Sequence, residues 1–461
     1  MGVSVPKWVK RFVKSNFLLT LQYGCSQHLY VQLNAMIQEL TIRNFLSFKD
    51  ATTFSFEATD DKTLEDCQVV QVGNTRLLRF ALVYGANASG KSNLLAAFEF
   101  LRRFWFERKE TKEQRTNVVP FLFDKATVSE PSSFELVFFV DTVKYEYKVE
   151  LDSKAILNEC LSSYKTVEPT PLFKRTLNDG VSVVELDARL NVPEAALQEI
   201  SLKCLPNMSF IAASDMVNYM LPEISDVRHW MHYGFAPVIL PESEIFQVAQ
   251  EKIHDDEDLK EHLLAFIRHA DFNITEVHTE KKEIKIPNFL KTAILQNESL
   301  SKDQKDELLG EGTMNAFRTS FEHSVVNARG SETYSLAADL QSSGTRRTFG
   351  VEMAIYLALK QQRLQAIDEI ESSLHPELVE FVLTQFLQEK GRSQLLITTH
   401  YDPLLDEVDD MFRKDMVWFT EKGKDGATRL YSLTDFMGLN EISSFRRFYR
   451  NGRFGALPNI G

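Results

Sequence analysis

The sequence predicts an α/β fold: a mixed sheet, a lobe of antiparallel strands and an inserted helical lobe. Three observations lead there. A short apolar run, Phe80-Ala-Leu-Val-Tyr84, enters a glycine directly, and Leu94, Leu95, Phe98 and Leu101 then follow at helical spacing. Two further apolar runs, 364–367 and 395–398, stand far downstream; runs of this kind suit strands buried on both faces. Between them, Val143, Tyr145, Tyr147, Val149 and Leu151 alternate with Lys144, Glu146 and Lys148, the pattern of antiparallel sheet with one wet face.

The elements can be taken in order. Residues 1–35 carry Lys7, Lys10, Arg11 and Lys14 before a short apolar run, 17–21, too short to span a membrane. They read as a floppy extension or a non-native start, with a membrane or partner anchor as the other reading. After Met36, Leu40 and Ile42 alternate with Thr41 and Arg43, as on a half-buried strand. Residues 134–140 and 143–151 form a hairpin. Leu259, Leu263, Phe266 and Ile267 mark a helix, whereas 279–312, rich in Lys, Glu, Gln, Asn and Ser, reads as a solvated excursion. Helical spacing returns over 345–360, and Pro376 suits the first position of a helix reaching about Leu387.

Composition sets outer limits. With 461 residues the chain exceeds one small core, so two or three domains fit, as does one fold with a large insertion. A net charge of −13 argues against coating nucleic acid over the whole surface, though not against a local basic groove. Cys25, Cys67, Cys160 and Cys204 are scattered without a C-x-x-C pair, which disfavours a thiolate zinc site and suits a reducing cytoplasm.

The chemistry begins at Gly85, Ala86, Asn87, Ala88, Ser89, Gly90, Lys91 and Ser92, which fit G-x-x-x-x-G-K-[ST]. Glycines let the backbone turn so that successive N–H groups face phosphate oxygens, and the helix start adds positive charge. Lys91 is placed for the β- and γ-phosphates of ATP and Ser92 for Mg²⁺. Asp368 and Glu369 close an apolar strand interrupted only by Gln365. Asp368 suits the Mg²⁺ and Glu369 the attacking water; nearby Glu371 reads as a surface acid. His400 ends a second buried strand, at the carboxyl edge where a γ-phosphate is read. His375, between Leu374 and Pro376, reads as structural or interfacial. Ser342-Ser343-Gly344-Thr345 opens a helix, and serves either as an anion site or as a plain helix cap.

This order of motifs resembles the ABC ATPases, and their SMC/RecF-like branch in particular. The likeness rests on Leu40-Thr-Ile-Arg-Asn-Phe-Leu-Ser-Phe48, the 85–93 block, Ser343-Gly-Thr, Ile367-Asp-Glu with Ser373-Leu-His-Pro376, Thr398-Thr-His400 and the tail Gly452-Arg-Phe-Gly-Ala-Leu-Pro-Asn-Ile460. These features are also similar to compact bacterial ATPases that include the RloA-like proteins found beside restriction and phage-defence genes. Ser343-Gly344-Thr345 departs from the fuller Leu-Ser-Gly-Gly-Gln signature, no Q-loop glutamine is evident, and Pro120-Phe-Leu-Phe-Asp124 stands near that place.

The resemblance implies an ABC-type bilobed head. It divides the chain into a first ATPase lobe (36–184), a helical insertion (185–342) and a final segment (343–461) with the signature, the Asp-Glu strand, the switch histidine and the tail. It implies a homodimer or higher homo-oligomer that sandwiches ATP, with Ser343 and Gly344 of one copy capping the P-loop of another. The function expected is an ATP-hydrolysing switch in antiphage defence, acting with an effector nuclease or toxin from a neighbouring gene. The alternative is a DNA-repair or recombination ATPase; a transporter subunit stands third. The mixed basic and aromatic stretch 445–454 could hold nucleic acid or pack within the protein. No membrane association is expected outside the N-terminal extension.

Overall fold

A computed structural model describes residues 34–269, 273–296, 302–310 and 312–458. The N-terminal extension up to residue 33, and the final Asn459 and Ile460 of the tail motif, lie outside them. The chain forms two compact units, one containing residues 34–238, 358–370 and 383–458, the other residues 239–357 and 371–382.

The first unit is built on two large sheets. Seven antiparallel strands run in the spatial order Val181–Leu186, Thr170–Asn178, Ile156–Tyr164, Val143–Leu151, Ser132–Val140, Ala35–Arg43 and Thr52–Ser55. Strand Ser132–Val140 alternates buried and half-buried residues up to Leu136 and is buried on both faces from Leu136 to Val140. The second sheet has five strands, ordered Leu364–Ile367, Gln394–Thr399, Phe80–Gly85, Val417–Lys422 and Thr428–Ser432. Its first four are parallel and its last is antiparallel. Every residue of Phe80–Gly85 is buried, which accounts for a sequence without a polar face.

Polar residues in these strands have definite jobs. Gln365, the interruption in its strand, is fully buried and donates from Nε2 to the carbonyls of Pro237 and Ala366, both at 3.0 Å. Gln394 joins the two sheets: its Oε1 accepts from Ile37 N at 2.7 Å, while Nε2 donates to Ile37 O at 2.9 Å and Leu78 O at 3.1 Å. The strand Ala35–Arg43 shifts register between Ile37 and Glu39, where the Ile37 backbone turns to Gln394. A buried amide with both ends satisfied costs little and fixes register.

The second unit pairs helices with a small sheet. Helix Glu257–His269 buries Leu259, Leu263, Phe266 and Ile267, the apolar stripe read from spacing, and Leu264 with them. Helices Ile245–Asp255 and Ser343–Gln361 approach closely at Gly350, where a Cβ would come within 2.3 Å of Ile245 Cγ2. The polar stretch 279–312 is more ordered than its composition suggests. It contains much of strand Ile274–Lys285, helices Asn288–Leu295 and Lys302–Leu309, and leads into strand Thr313–Asn327, which pairs on its other edge with Gly330–Ala337. Residues 280–285 are exposed. Their strand persists because ladder bonds to Thr313–Asn327 satisfy the backbone whatever the side chains.

Among the described residues, no helix is long and apolar enough to cross a membrane.

Candidate functional site

The P-loop leaves the central strand of the parallel sheet and enters helix Lys91–Phe104. Its two glycines are required for different reasons. A Cβ on Gly85 would fall 2.2 Å from Thr420 Oγ1 and 2.4 Å from Ser89 Oγ, so close approach excludes a side chain. Gly90 has φ +112°, and a Cβ there would fall 2.1 Å from Thr428 Oγ1. Ala88, with φ 62°, also takes the left-handed conformation. Asn87, Ala88 and Ser92 are exposed, while Ser89, Gly90 and Lys91 are buried.

Two threonines from the neighbouring hairpin support the loop. Thr420 Oγ1 lies 2.6 Å from Ser89 Oγ and 3.2 Å from Tyr84 O. Thr428 Oγ1 lies 2.7 Å from Ser89 O and 2.7 Å from Ser47 Oγ, and Ser47 Oγ accepts from Asn93 Nδ2 at 2.7 Å. The opening segment 40–48 therefore reaches the first turn of the P-loop helix. Nothing local in the sequence marks Ser47, Thr420 or Thr428, because each comes from another part of the chain.

Lys91 Nζ donates to Gly85 O at 2.8 Å and Ala86 O at 3.3 Å, and lies 3.0 Å from His400 Nε2. An ammonium has protons and no lone pair, so in this contact the donor is Lys91 and His400 Nε2 the acceptor. Parallel pairing puts Thr399 beside Tyr84 and so carries His400 to the P-loop edge. Glu369 Oε1 stands 3.8 Å from the same Nε2. Lys91, His400 and Glu369 thus meet.

Asp368 is buried beside them and accepts the Thr398 hydroxyl at 2.5 Å. Glu369 N donates to the same Thr398 Oγ1 at 2.9 Å, and Glu369 has φ 46°, a left-handed conformation unusual for a residue with a side chain. The Asp368 carboxylate and the exposed Ser92 hydroxyl are hard oxygen donors of the kind Mg²⁺ takes. Thr420, Ser89 and Thr428 pack directly against the two glycines and hold the loop tight, which suits a close-fitting phosphate chain.

Ser343 and Gly344 belong to the other compact unit, at the start of helix Ser343–Gln361. Ser342 caps that helix: its Oγ accepts from Thr345 N at 3.0 Å, and Ser343 is exposed. His375 is exposed too, and its carbonyl accepts from Leu378 N and Val379 N at the start of helix Pro376–Gln388. In the stretch 120–124, Phe121 N donates to Asn44 Oδ1 at 3.0 Å and Phe123 packs beside Lys422, but no glutamine is present.

The tail is part of this region, which its sequence did not reveal. A cavity of about 970 Å³ is lined by Gly85, Ala86, Asn87, Ser89 and His400, together with Thr420, Glu421 and Lys422 and the tail residues Gly455, Ala456, Leu457 and Pro458. The tail is held by its aromatics. Tyr449 and Phe454 stack on Phe419 with centroids 5.7 and 5.6 Å apart, and Tyr449 donates to Ala456 O at 3.2 Å. Burial pushes the Tyr449 phenol up to about 12. Two of its four arginines are engaged as well: Arg446 and Arg450 both bind Asp402, and Arg446 also reaches Asp406, while Arg447 and Arg453 are exposed.

A buried parallel strand, a glycine loop and a helix beginning at its lysine define a P-loop nucleotide-binding domain of ATPase type. Residues 80–186 and 224–407, more than half of the chain, match the family described as "AAA domain, putative AbiEii toxin, Type IV TA system", and the chain belongs to that family. Comparison with curated proteins gives no match. Similar solved structures include the SMC head domain from Thermotoga maritima, 13% identical with a TM-score of 0.36, covering 86% of this chain and 98% of that one. Another is an SMC head bound to the C-terminal winged-helix domain of ScpA, 10% identical with a TM-score of 0.39, covering 86% and 97%.

Proposed function

We propose that the protein binds ATP with Mg²⁺, hydrolyses it, and uses its nucleotide state to control a separate effector in bacterial antiphage defence. The observation that carries the catalytic part is the meeting of Lys91, His400 and Glu369 at one sheet edge, with Asp368 buried beside them. In this reading Lys91 neutralises the β- and γ-phosphates, and Ser92 and Asp368 hold Mg²⁺, which supplies further charge neutralisation when bound. Glu369 orients water and takes its proton, and His400 hydrogen-bonds the γ-phosphate. Ser343 and Gly344 of a second copy complete the site, so the working form is a homodimer or larger homo-oligomer.

The family's description names a "putative AbiEii toxin" of a toxin–antitoxin system, the kind of paired-gene arrangement this reading calls for. The tail stretch 445–454 is the one segment that could hold nucleic acid by charge and stacking. Arg446 and Arg450 are occupied by Asp402 and Asp406, and Tyr449 and Phe454 are buried, while Arg447 and Arg453 stay exposed, which weakens the tail as a nucleic-acid surface. The test is phage challenge of cells expressing the protein alone, its neighbouring gene alone, or both. Protection is expected from the pair only, and Lys91→Ala or Glu369→Gln abolishes it. Protection by the single gene, or cleavage of nucleic acid by the purified protein, overturns the proposal of a separate effector.

A further inference from the structure

We infer that Thr398 is a positioning residue that sets the geometry of Asp368 and Glu369 through one hydroxyl; the inference rests on reading that pair as the magnesium and water carboxylates. Thr398 is fully buried on strand Gln394–Thr399, one residue beyond the Ile367–Ile397 pair of the parallel ladder. Three consecutive residues of the facing turn are tied to it. Its Oγ1 donates to Asp368 Oδ1 at 2.5 Å and accepts from Glu369 N at 2.9 Å, while its carbonyl accepts from Ile370 N at 3.2 Å.

A hydroxyl has one proton and two lone pairs, so these bonds have a fixed direction. The proton goes to Asp368 Oδ1, which accepts it, so one oxygen of that side chain is pinned. A lone pair takes the Glu369 N–H, and that bond holds the backbone at φ 46°, a conformation a glutamate adopts only when its surroundings impose it. The result is a short directed chain from Glu369 N–H through the Thr398 hydroxyl to the Asp368 carboxylate, in which each bond polarises the next. Charge arriving at Asp368 is felt at the backbone of Glu369, so cation binding and water activation are coupled through a residue that touches neither cation nor water. The next residue has a separate task, since Thr399 Oγ1 accepts from Tyr401 N at 2.9 Å and fixes the turn carrying His400.

Thr398→Val preserves the branched shape but removes the hydroxyl, and Thr398→Ser keeps the hydroxyl. The valine variant is expected to bind ATP as the parent does, to lose roughly 10- to 100-fold in kcat, and to need several-fold more Mg²⁺ for half-maximal turnover. The serine variant should recover both parameters to within a few-fold. Thr398→Cys, a small side chain with a weak donor, guards against poor folding of the valine variant and should fall between the two. Mere loss of packing would lower the folded fraction without moving the Mg²⁺ dependence. If valine or cysteine turns over like serine with unchanged Mg²⁺ dependence, while Glu369→Gln and Asp368→Asn are inactive, Thr398 has no positioning role. If those two carboxylate variants retain full turnover, it is the reading of the pair that fails.

Discussion

Lys91 shows how much a single side chain can be asked to do. Its ammonium is shared among Gly85 O, Ala86 O and His400 Nε2, acceptors weaker than a phosphate oxygen, so triphosphate should draw it away. Lys91→Ala is expected to weaken ATP binding by roughly 10- to 100-fold, the worth of one charge-assisted contact; calorimetry giving equal affinity for variant and parent would show that the loop binds without it. Glu369→Gln keeps size and hydrogen bonding but cannot take a proton. ATP should still bind while phosphate release slows by about two decades or more, and unchanged turnover would move the base elsewhere, Glu371 being the next acid to test. These residues were legible in the sequence because phosphate binding writes its requirements into consecutive positions. Thr398, Thr420, Thr428 and Ser47 were not, because each is an ordinary strand or loop residue whose role comes from a strand laid beside it.

At the level of elements, legibility followed periodicity. Helix Glu257–His269 and three of the four parallel strands announced themselves by apolar runs and spacing, whereas the fourth, Val417–Lys422, and strand Ile274–Lys285, whose outer half is exposed, were not read. Gln365 and Gln394 look like flaws in apolar strands until their amide partners are seen. Helix Ser343–Gln361 contains a comparable oddity. Glu352 is buried and pairs with His262 at 2.7 Å, while its Oε2 has no partner among the described residues. Burial pushes its carboxyl above the usual range, partly opposed by the His262 hydrogen bond. A raised folded value means that the group's favourable contribution is complete at pH below the ordinary carboxylate range and is lost as pH rises through the raised value. Glu352→Gln removes that titration. It should raise the melting temperature at neutral pH, by an amount corresponding to about 1 kcal/mol, and the advantage should shrink in acidic buffer. Thermal melts at the two pH values check this, and an advantage that grows on acidification would contradict it.

For the whole molecule, the question is whether one chain is enough. If Ser343 of one copy caps the P-loop of another, Ser343→Arg should spare ATP binding by each chain but stop hydrolysis. Mixing that variant with Lys91→Ala is the sharper measurement, since one interface of the mixed dimer pairs an intact P-loop with an intact cap. Recovery of phosphate release on mixing is expected, and its absence would argue that each chain works alone. The parallel sheet has a consequence of another kind, in the time order of biosynthesis. Phe80–Gly85 gains its two neighbours only when Gln394–Thr399 and Val417–Lys422 have been made. At roughly 5–20 residues per second of synthesis, this six-residue apolar strand waits on the order of tens of seconds on the ribosome. During that interval the nascent chain carries the complete phosphate-binding motif, yet His400 and Thr420 do not exist to seat it. The newborn polypeptide should therefore be a chaperone client that is blind to ATP, becoming responsive only once strand Val417–Lys422 has emerged.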